Sequence, residues 1–336
     1  MNDPHLNIIA ELSGNHNGSK DRALSLIEAA ADAGATMVKV QCFKPDLITV
    51  KSDNEIYRVN GGEWDGKSLY DLYSATYLPW EWYDDLIASS KALGIEFFAS
   101  VFDEVSADFL LSKGCETVKI ASPEIIDLDL LTYCAERFQT ILLSTGMASK
   151  DEIITAHKII SKYSIESVLL QCVSEYPARA EDYNLGGLAF LSKYGNHTGI
   201  SDHSMDDIAV LGAVAKGATY IEKHLTMRRL DGGVDSHFSL EPHEFKQMVT
   251  AAHKMAKACV LEDYAEVNSD QGSRKYRRSL YIKPSLRAGD IIREKDLISR
   301  RPALGDEVAN KSGYIGKKLK IDIDEISPLT MKMIEA

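Results

Sequence analysis

A (β/α)8 TIM barrel followed by a small, β-rich C-terminal domain is the α/β fold class this sequence predicts, on three observations. Eight short β-branched or apolar runs alternate with helical segments over about the first 260 residues, which is the size and order of such a barrel. Run after run closes on a side chain able to do chemistry, and a barrel gathers all those strand ends at a single mouth. The remaining tail follows a polar stretch and is too short to build a large core of its own.

In chain order the runs are NIIAEL, TMVKVQCF, EFFASVF, TVKIAS, TILLST, SVLLQCV, HTGISDH and TYIEKHL. No G-x-G-x-x-G follows the first of them, so an open, doubly wound nucleotide-binding sheet is disfavoured. Ser19 is placed to cap a helix that runs to Ala33, with Gly34 as its stop signal. The connection from about Lys44 to Pro79 is abnormally long and carries Trp64, with Trp80 and Trp82 just beyond. A connection of that length reads either as a lid or binding loop, or as a surface insertion packed by its own aromatics. After the eighth run, Phe245, Met248, Val249, Ala252, Met255, Ala256 and Cys259 recur at helical spacing and predict one apolar face. The expected domain bounds are 1–262 for the barrel, 263–277 for a linker and 278–336 for the accessory domain.

Composition narrows the class of protein. An apolar fraction of 45% with 26% charged residues is ordinary for a soluble globular enzyme. No run approaches the length of a membrane span, and the opening residues carry neither a basic nor a long apolar leader region. Five cysteines without a C-x-x-C pair suit a reducing compartment, so a cytoplasmic location is expected. A net charge of −12 argues against nucleic acid as a partner. An anionic substrate would need a local cluster of lysine or arginine.

The strand ends supply that cluster. Lys39 and Lys119 sit in apolar surroundings (MVKVQ, TVKIAS), where an unpaired ammonium is costly. With Ser100, Ser122, Ser144, Ser174 and Ser201 they would cradle phosphate and carboxylate together. Two other readings stand beside this one: salt bridges to Glu11, Glu124 or Glu222, and a Schiff-base lysine of aldolase type. His203 and His224 end the seventh and eighth runs, so adjacent strands would bring two imidazoles together on one divalent cation, with positions left for water and substrate. Glu11 ends the first run before the turn LSGNHNG and is placed to move a proton. Asn15 and His16 are expected to shape that turn, and Asp231 and Asp235 are candidates for hydrogen bonds to sugar hydroxyls.

Taken together, AELSGNHNG, KVQ, FFASVFD, KIASPE, LLSTGM, QCVSEYP, GISDHS and IEKHLT resemble, in order and spacing, the motifs of the sialic acid synthase family over the whole barrel. The tail, including ISRRPALG, is similar to the antifreeze-like (SAF) domain those synthases carry. Three stretches resemble the pseudaminic acid branch: GGEWDGKSLYDLY with LPWEW, then DGGVDSHFSLEP, then RRSLYI.

The resemblance implies a synthase that condenses phosphoenolpyruvate with an amino-sugar aldehyde, the diacetamido-trideoxy-altrose of that branch. Neuraminic or legionaminic acid synthesis is the alternative. By position it implies His203 and His224 as metal ligands and Glu11 as the catalytic carboxylate. Lys39, Ser100, Lys119, Ser122, Ser144, Ser174, Tyr176 and Ser201 would hold phosphoenolpyruvate. Gln41, Glu124, Asp235 and Arg301 would meet the sugar, with Arg301 also assisting catalysis from the other subunit of a domain-swapped homodimer. The cation implied is Mn2+, with Mg2+ or Co2+ as alternatives. The sequence departs from the family at Ser100, where threonine is usual, at Ser174, which replaces an asparagine, and at Pro123, where an aromatic or small residue is commoner.

Overall fold

The computed structural model describes residues 5–61, 64–259 and 272–335. Contacts divide the chain into two compact units, Met1–Val260 and Leu261–Ala336. Most of the expected linker, 263–271, lies outside the described residues.

In the first unit eight parallel strands close into a barrel in sequence order. They are β1 (Asn7–Glu11), β2 (Met37–Cys42), β3 (Glu96–Val101) and β4 (Thr117–Ile120), then β5 (Thr140–Ser144), β6 (Glu166–Cys172), β7 (His197–Asp202) and β8 (Tyr220–His224). Every second side chain of a strand points inward, and this alternation sorts the residues. Ile8, Ala10, Val38 and Val40 pack outward in the large core that includes the surrounding helices. Ile9, Met37, Phe98, Leu142, Val168 and Leu170 form a separate interior cluster that plugs the barrel. Continuing the same alternation toward the carboxyl ends turns Glu11, Lys39, Ser100, Lys119, Ser201 and Glu222 inward above that plug. At Gly199 a Cβ would lie 2.2 Å from the Tyr220 carbonyl oxygen, so this inward position on β7 admits glycine and Tyr220 occupies the space.

The helices follow from local signals. Lys20–Asp32 begins at Ser19, whose hydroxyl accepts from the Arg22 amide, and ends before Gly34 at φ +94°. The helix Pro242–Ala258 buries Phe245, Met248, Val249, Ala252 and Ala256. Cys259 is the exception to the predicted face: it follows the last helical turn and is exposed. The long connection after β2 is less irregular than its sequence indicates, holding short helices at Pro45–Ile48 and Leu69–Thr76 and a 3-10 turn at Glu55–Tyr57.

The second unit is built on a three-stranded antiparallel sheet, with β9 (Ser279–Ile282) between β10 (Leu297–Arg300) and β11 (Ser327–Pro328). Leu280, Ile282, Ile292, Tyr314, Leu319 and Leu329 make its small core. Arg301 follows β10 and is exposed. Among the described residues, no helix is long and apolar enough to cross a membrane.

Candidate active site

At the carboxyl ends of the strands lies a cavity of about 480 Å3. It is lined by every barrel residue that the family resemblance assigns to metal, phosphoenolpyruvate or sugar: Glu11, Lys39, Gln41, Ser100, Lys119, Ser122 and Glu124, with Ser144, Ser174, Tyr176, Ser201, His203, His224 and Asp235. Arg301 belongs to the other unit. The turn residues behave as expected: the Asn15 amide donates to the Leu225 carbonyl and to Ser239, while a His16 ring nitrogen meets the Thr76 carbonyl. The two loop acids part company, since Asp231 is tied to Arg22 and Arg228 but Asp235 is buried at the cavity.

Register explains the convergence. Glu11 lies opposite Lys39 on one side and His224 on the other, Ser100 faces Lys119, and Ser201 faces Glu222. At the centre stand two lysines and two glutamates. Lys39 Nζ lies 2.5 Å from Glu11 and 3.5 Å from Glu222, and Lys119 Nζ is 3.0 Å from Glu222. Ser201 donates to Glu222 at 2.9 Å, and Lys39 donates to Ser100 at 3.1 Å. Ion pairing, one of the two alternative readings of the lysines, is therefore present, and Glu222 is its hub.

The four charges are not equivalent. Burial opposes ionisation of Glu222, but Lys119 and Lys39 outweigh it and hold this carboxyl far below its usual range. Glu11 is left with the smaller share: burial raises its pKa, and Lys39 does not fully offset that. Burial likewise works against charge on Lys39, yet Glu11 and Glu222 raise it overall. Lys119 is lowered, by burial and by the neighbouring Lys39 charge. A carboxylate raised toward neutrality, ringed by groups of fixed charge, is suited to exchanging a proton.

The histidines sit at one side of this quartet, ring centroids 5.3 Å apart. His203 Nδ1 is 2.7 Å from the Val173 carbonyl oxygen, which only accepts, so that nitrogen carries the hydrogen and Nε2 is the one left for a ligand; burial opposes charge on this ring, yet Cys172 raises its pKa overall. Burial, then the His203 and Lys39 charges, hold His224 well below its usual range, so its imidazole is neutral. His224 Nδ1 is buried without a protein partner. Once a cation displaces any proton on His203 Nε2, the two ring nitrogens would fit one divalent cation completed by water and substrate. Among the described residues, no group of three or more His, Cys, Asp or Glu is arranged to hold a metal ion by itself.

Toward the rim, Glu124 Oε2 and Ser144 Oγ are also buried without protein partners. Burial pushes the Glu124 carboxyl up to about 7. Sequence reasoning treated Glu222 as a salt-bridge partner and left it out of the site. The signal was there, because Glu222 precedes His224 by two positions on one strand and so shares its face. Ser13 was missed altogether. It sits at φ +43° in the turn after β1, its amide donates to Glu11 and its hydroxyl to Asp235, and Gln41 donates to that hydroxyl.

A closed (β/α)8 barrel with lysines, carboxylates and paired imidazoles converging at its C-terminal mouth defines a barrel enzyme. The chain belongs to the NeuB family, which matches residues 26–263, and it carries an SAF domain over residues 277–335. It is 36% identical to a pseudaminic acid synthase of Campylobacter jejuni, over 94% of this chain and 93% of that protein. An N,N'-diacetyllegionaminic acid synthase of Legionella pneumophila is 33% identical, over 98% and 94%. Among solved structures, the N-acetylneuraminic acid synthetase of Leptospira borgpetersenii superposes with a TM-score of 0.72 at 33% identity, over 81% of this chain and 90% of that one.

Proposed function

We propose that this enzyme is a nonulosonic acid synthase that joins phosphoenolpyruvate to the open-chain aldehyde of 2,4-diacetamido-2,4,6-trideoxy-L-altrose, giving pseudaminic acid and phosphate. The observation that carries the reading is the meeting of Lys39, Lys119 and the strand-end serines with two imidazoles in one cavity. An anionic three-carbon phosphoester and an aldehyde would lie side by side there.

The bond-forming step joins C3 of phosphoenolpyruvate to the aldehyde carbon. Water then adds at C2, and the tetrahedral product loses phosphate by cleavage of the C–O bond. Lys39 and Lys119 hold the phosphate and carboxylate charge, aided by hydroxyl donors at Ser100, Ser122, Ser144 and Ser201. Glu11, beside Lys39, takes the proton of the entering water. His203 and His224 would hold a divalent cation, Mn2+ in our reading, which when bound would supply Lewis acidity toward the aldehyde. Gln41, Glu124 and Asp235 orient the sugar, and holding both reactants in one cavity contributes much of the acceleration. Ser174 is too short to reproduce the asparagine it replaces, so its contact with phosphoenolpyruvate is the weakest of the set.

Arg301 completes the sugar site from the partner of a domain-swapped homodimer. The similar identities to pseudaminic and legionaminic acid synthases make the acceptor the point to test. Incubating the enzyme and phosphoenolpyruvate with a panel of amino sugars, while following phosphate and product mass, tests it. The reading fails if the altrose acceptor releases no phosphate or a legionaminic precursor is used better. Borohydride with pyruvate should leave the enzyme unlabelled, and covalent trapping would point instead to a Schiff-base aldolase.

A further inference from the structure

The connection between β2 and β3 gives the cavity an apolar wall that the condensation chemistry does not require. Ile48, Val59, Leu69 and Leu72 line the cavity from this one connection, with Tyr73 beside them. All five are half-buried, with the cavity on one side. The wall is tied down across the mouth. Trp64 Nε1 donates to the Val234 carbonyl at 3.2 Å, and its ring packs against Tyr176 and His237 at 5.9 and 6.3 Å. Glu124, whose Oε2 is buried without a protein partner, lines the same cavity as this wall.

We propose that this wall is the specificity surface for the acceptor: it receives the terminal methyl and acetamido methyl groups of a deoxy, N-acylated sugar, while Glu124 accepts from an amide N–H beside them. The inference rests on the proposed condensation and names which acceptors it favours. A hydroxymethyl group placed against Ile48 and Leu72 would lose hydrogen bonds to water and find none in return. Apolar pockets discriminate by about 10- to 200-fold for changes of this size, so the expected preference is real but bounded.

The test measures phosphate release with matched acceptors that differ only in a terminal methyl or hydroxymethyl group. The native enzyme should favour the methyl sugar by about 10- to 100-fold in kcat/KM, expressed in acceptor KM more than in kcat. Leu72→Asn and Ile48→Asn should narrow that ratio to within about threefold, and Leu72→Met should keep it. Circular dichroism identifies variants that fail to fold, for which Leu72→Thr and Ile48→Thr are substituted. Equal use of both acceptors by the native enzyme, or a preference that survives in a folded Leu72→Asn or Leu72→Thr protein, overturns the wall and leaves the condensation standing. Absence of phosphate release with every acceptor overturns the condensation and the wall together.

Discussion

Asp202 and Lys223 form an ion pair 2.6 Å long between β7 and β8, with side chains 0% and 1% exposed, and each is the residue immediately before a histidine of the site. Because side chains alternate along a strand, the pair faces away from the barrel axis while His203 and His224 face the mouth. Lys223 also donates to the backbone carbonyls of Ser204 and Asp206, at 2.6 and 2.9 Å. It therefore holds both the spacing of the two strand ends and the turn that follows His203.

Breaking one half of that pair should cost about 3–5 kcal/mol, since the other charge stays buried. Lys223→Met is expected to lower the melting temperature and weaken Mn2+ binding by about 10- to 100-fold. Adding Asp202→Leu should recover most of the stability. It should not recover the metal affinity, because the turn stays unanchored. Thermal denaturation and metal titration of the same three proteins check this.

Chelation should abolish turnover, and Mn2+ should restore it. His203→Ala should lose metal and rate together. Glu11→Gln should keep the metal and lose about 100-fold or more in kcat. Normal turnover by Glu11→Gln would remove the proton-transfer role.

Lys119→Met removes the closer of the two lysine partners of Glu222 and, in the proposed reaction, a cationic contact for phosphoenolpyruvate. The KM for phosphoenolpyruvate should rise by about 10-fold or more, corresponding to a lost charge-assisted hydrogen bond of about 1.5–3 kcal/mol. The KM for the sugar should change little. Steady-state kinetics varying each substrate in turn separates the two.

Glu124 supplies a pH dependence. Its carboxyl is raised from 4.5 to about 7, so below about 7 it carries a proton and cannot serve as an anionic acceptor for the sugar. Acceptor kcat/KM should rise with pH through this region, and Glu124→Gln should flatten that limb. Stability moves the opposite way. The unfolded chain ionises Glu124 first, so stability falls as pH rises from about 4.5 to about 7 and then stays at that lower level with no further change from this group. Denaturation of native and Glu124→Gln proteins at pH 5 and 8 checks the sign.

Arg301 lends itself to subunit mixing. Arg301→Ala and Glu11→Gln should each be nearly inactive, but after mixed refolding a heterodimer would own one complete site if the arginine crosses between subunits. Activity should then return to roughly a quarter of the native level. No recovery would show that Arg301 does not act across a dimer.

Much of this molecule was legible in the amino-acid order. Strand period and turn residues are local properties, so the eight barrel strands, the Ser19 cap and the candidates at the strand ends could be read without coordinates. The helix face ending at Cys259 was over-read by one residue, because periodicity does not say where a helix stops. The helices of the long connection are not legible in the sequence because they are only one or two turns, below the length at which a period can be recognised.

What sequence by itself determined, then, was the set of polar and ionisable groups at the strand ends and the end of the barrel to which they belong, since both follow from alternation along single strands. Which charge partners which was decided only by closure of the barrel. Register across β1, β2, β4 and β8 brings Glu222 within reach of two lysines more than a hundred residues away in sequence, and leaves Glu11 the carboxyl that can be spared for a proton. Such pairings depend on distances between strands, and Coulomb attraction falls off with distance in space rather than along the chain.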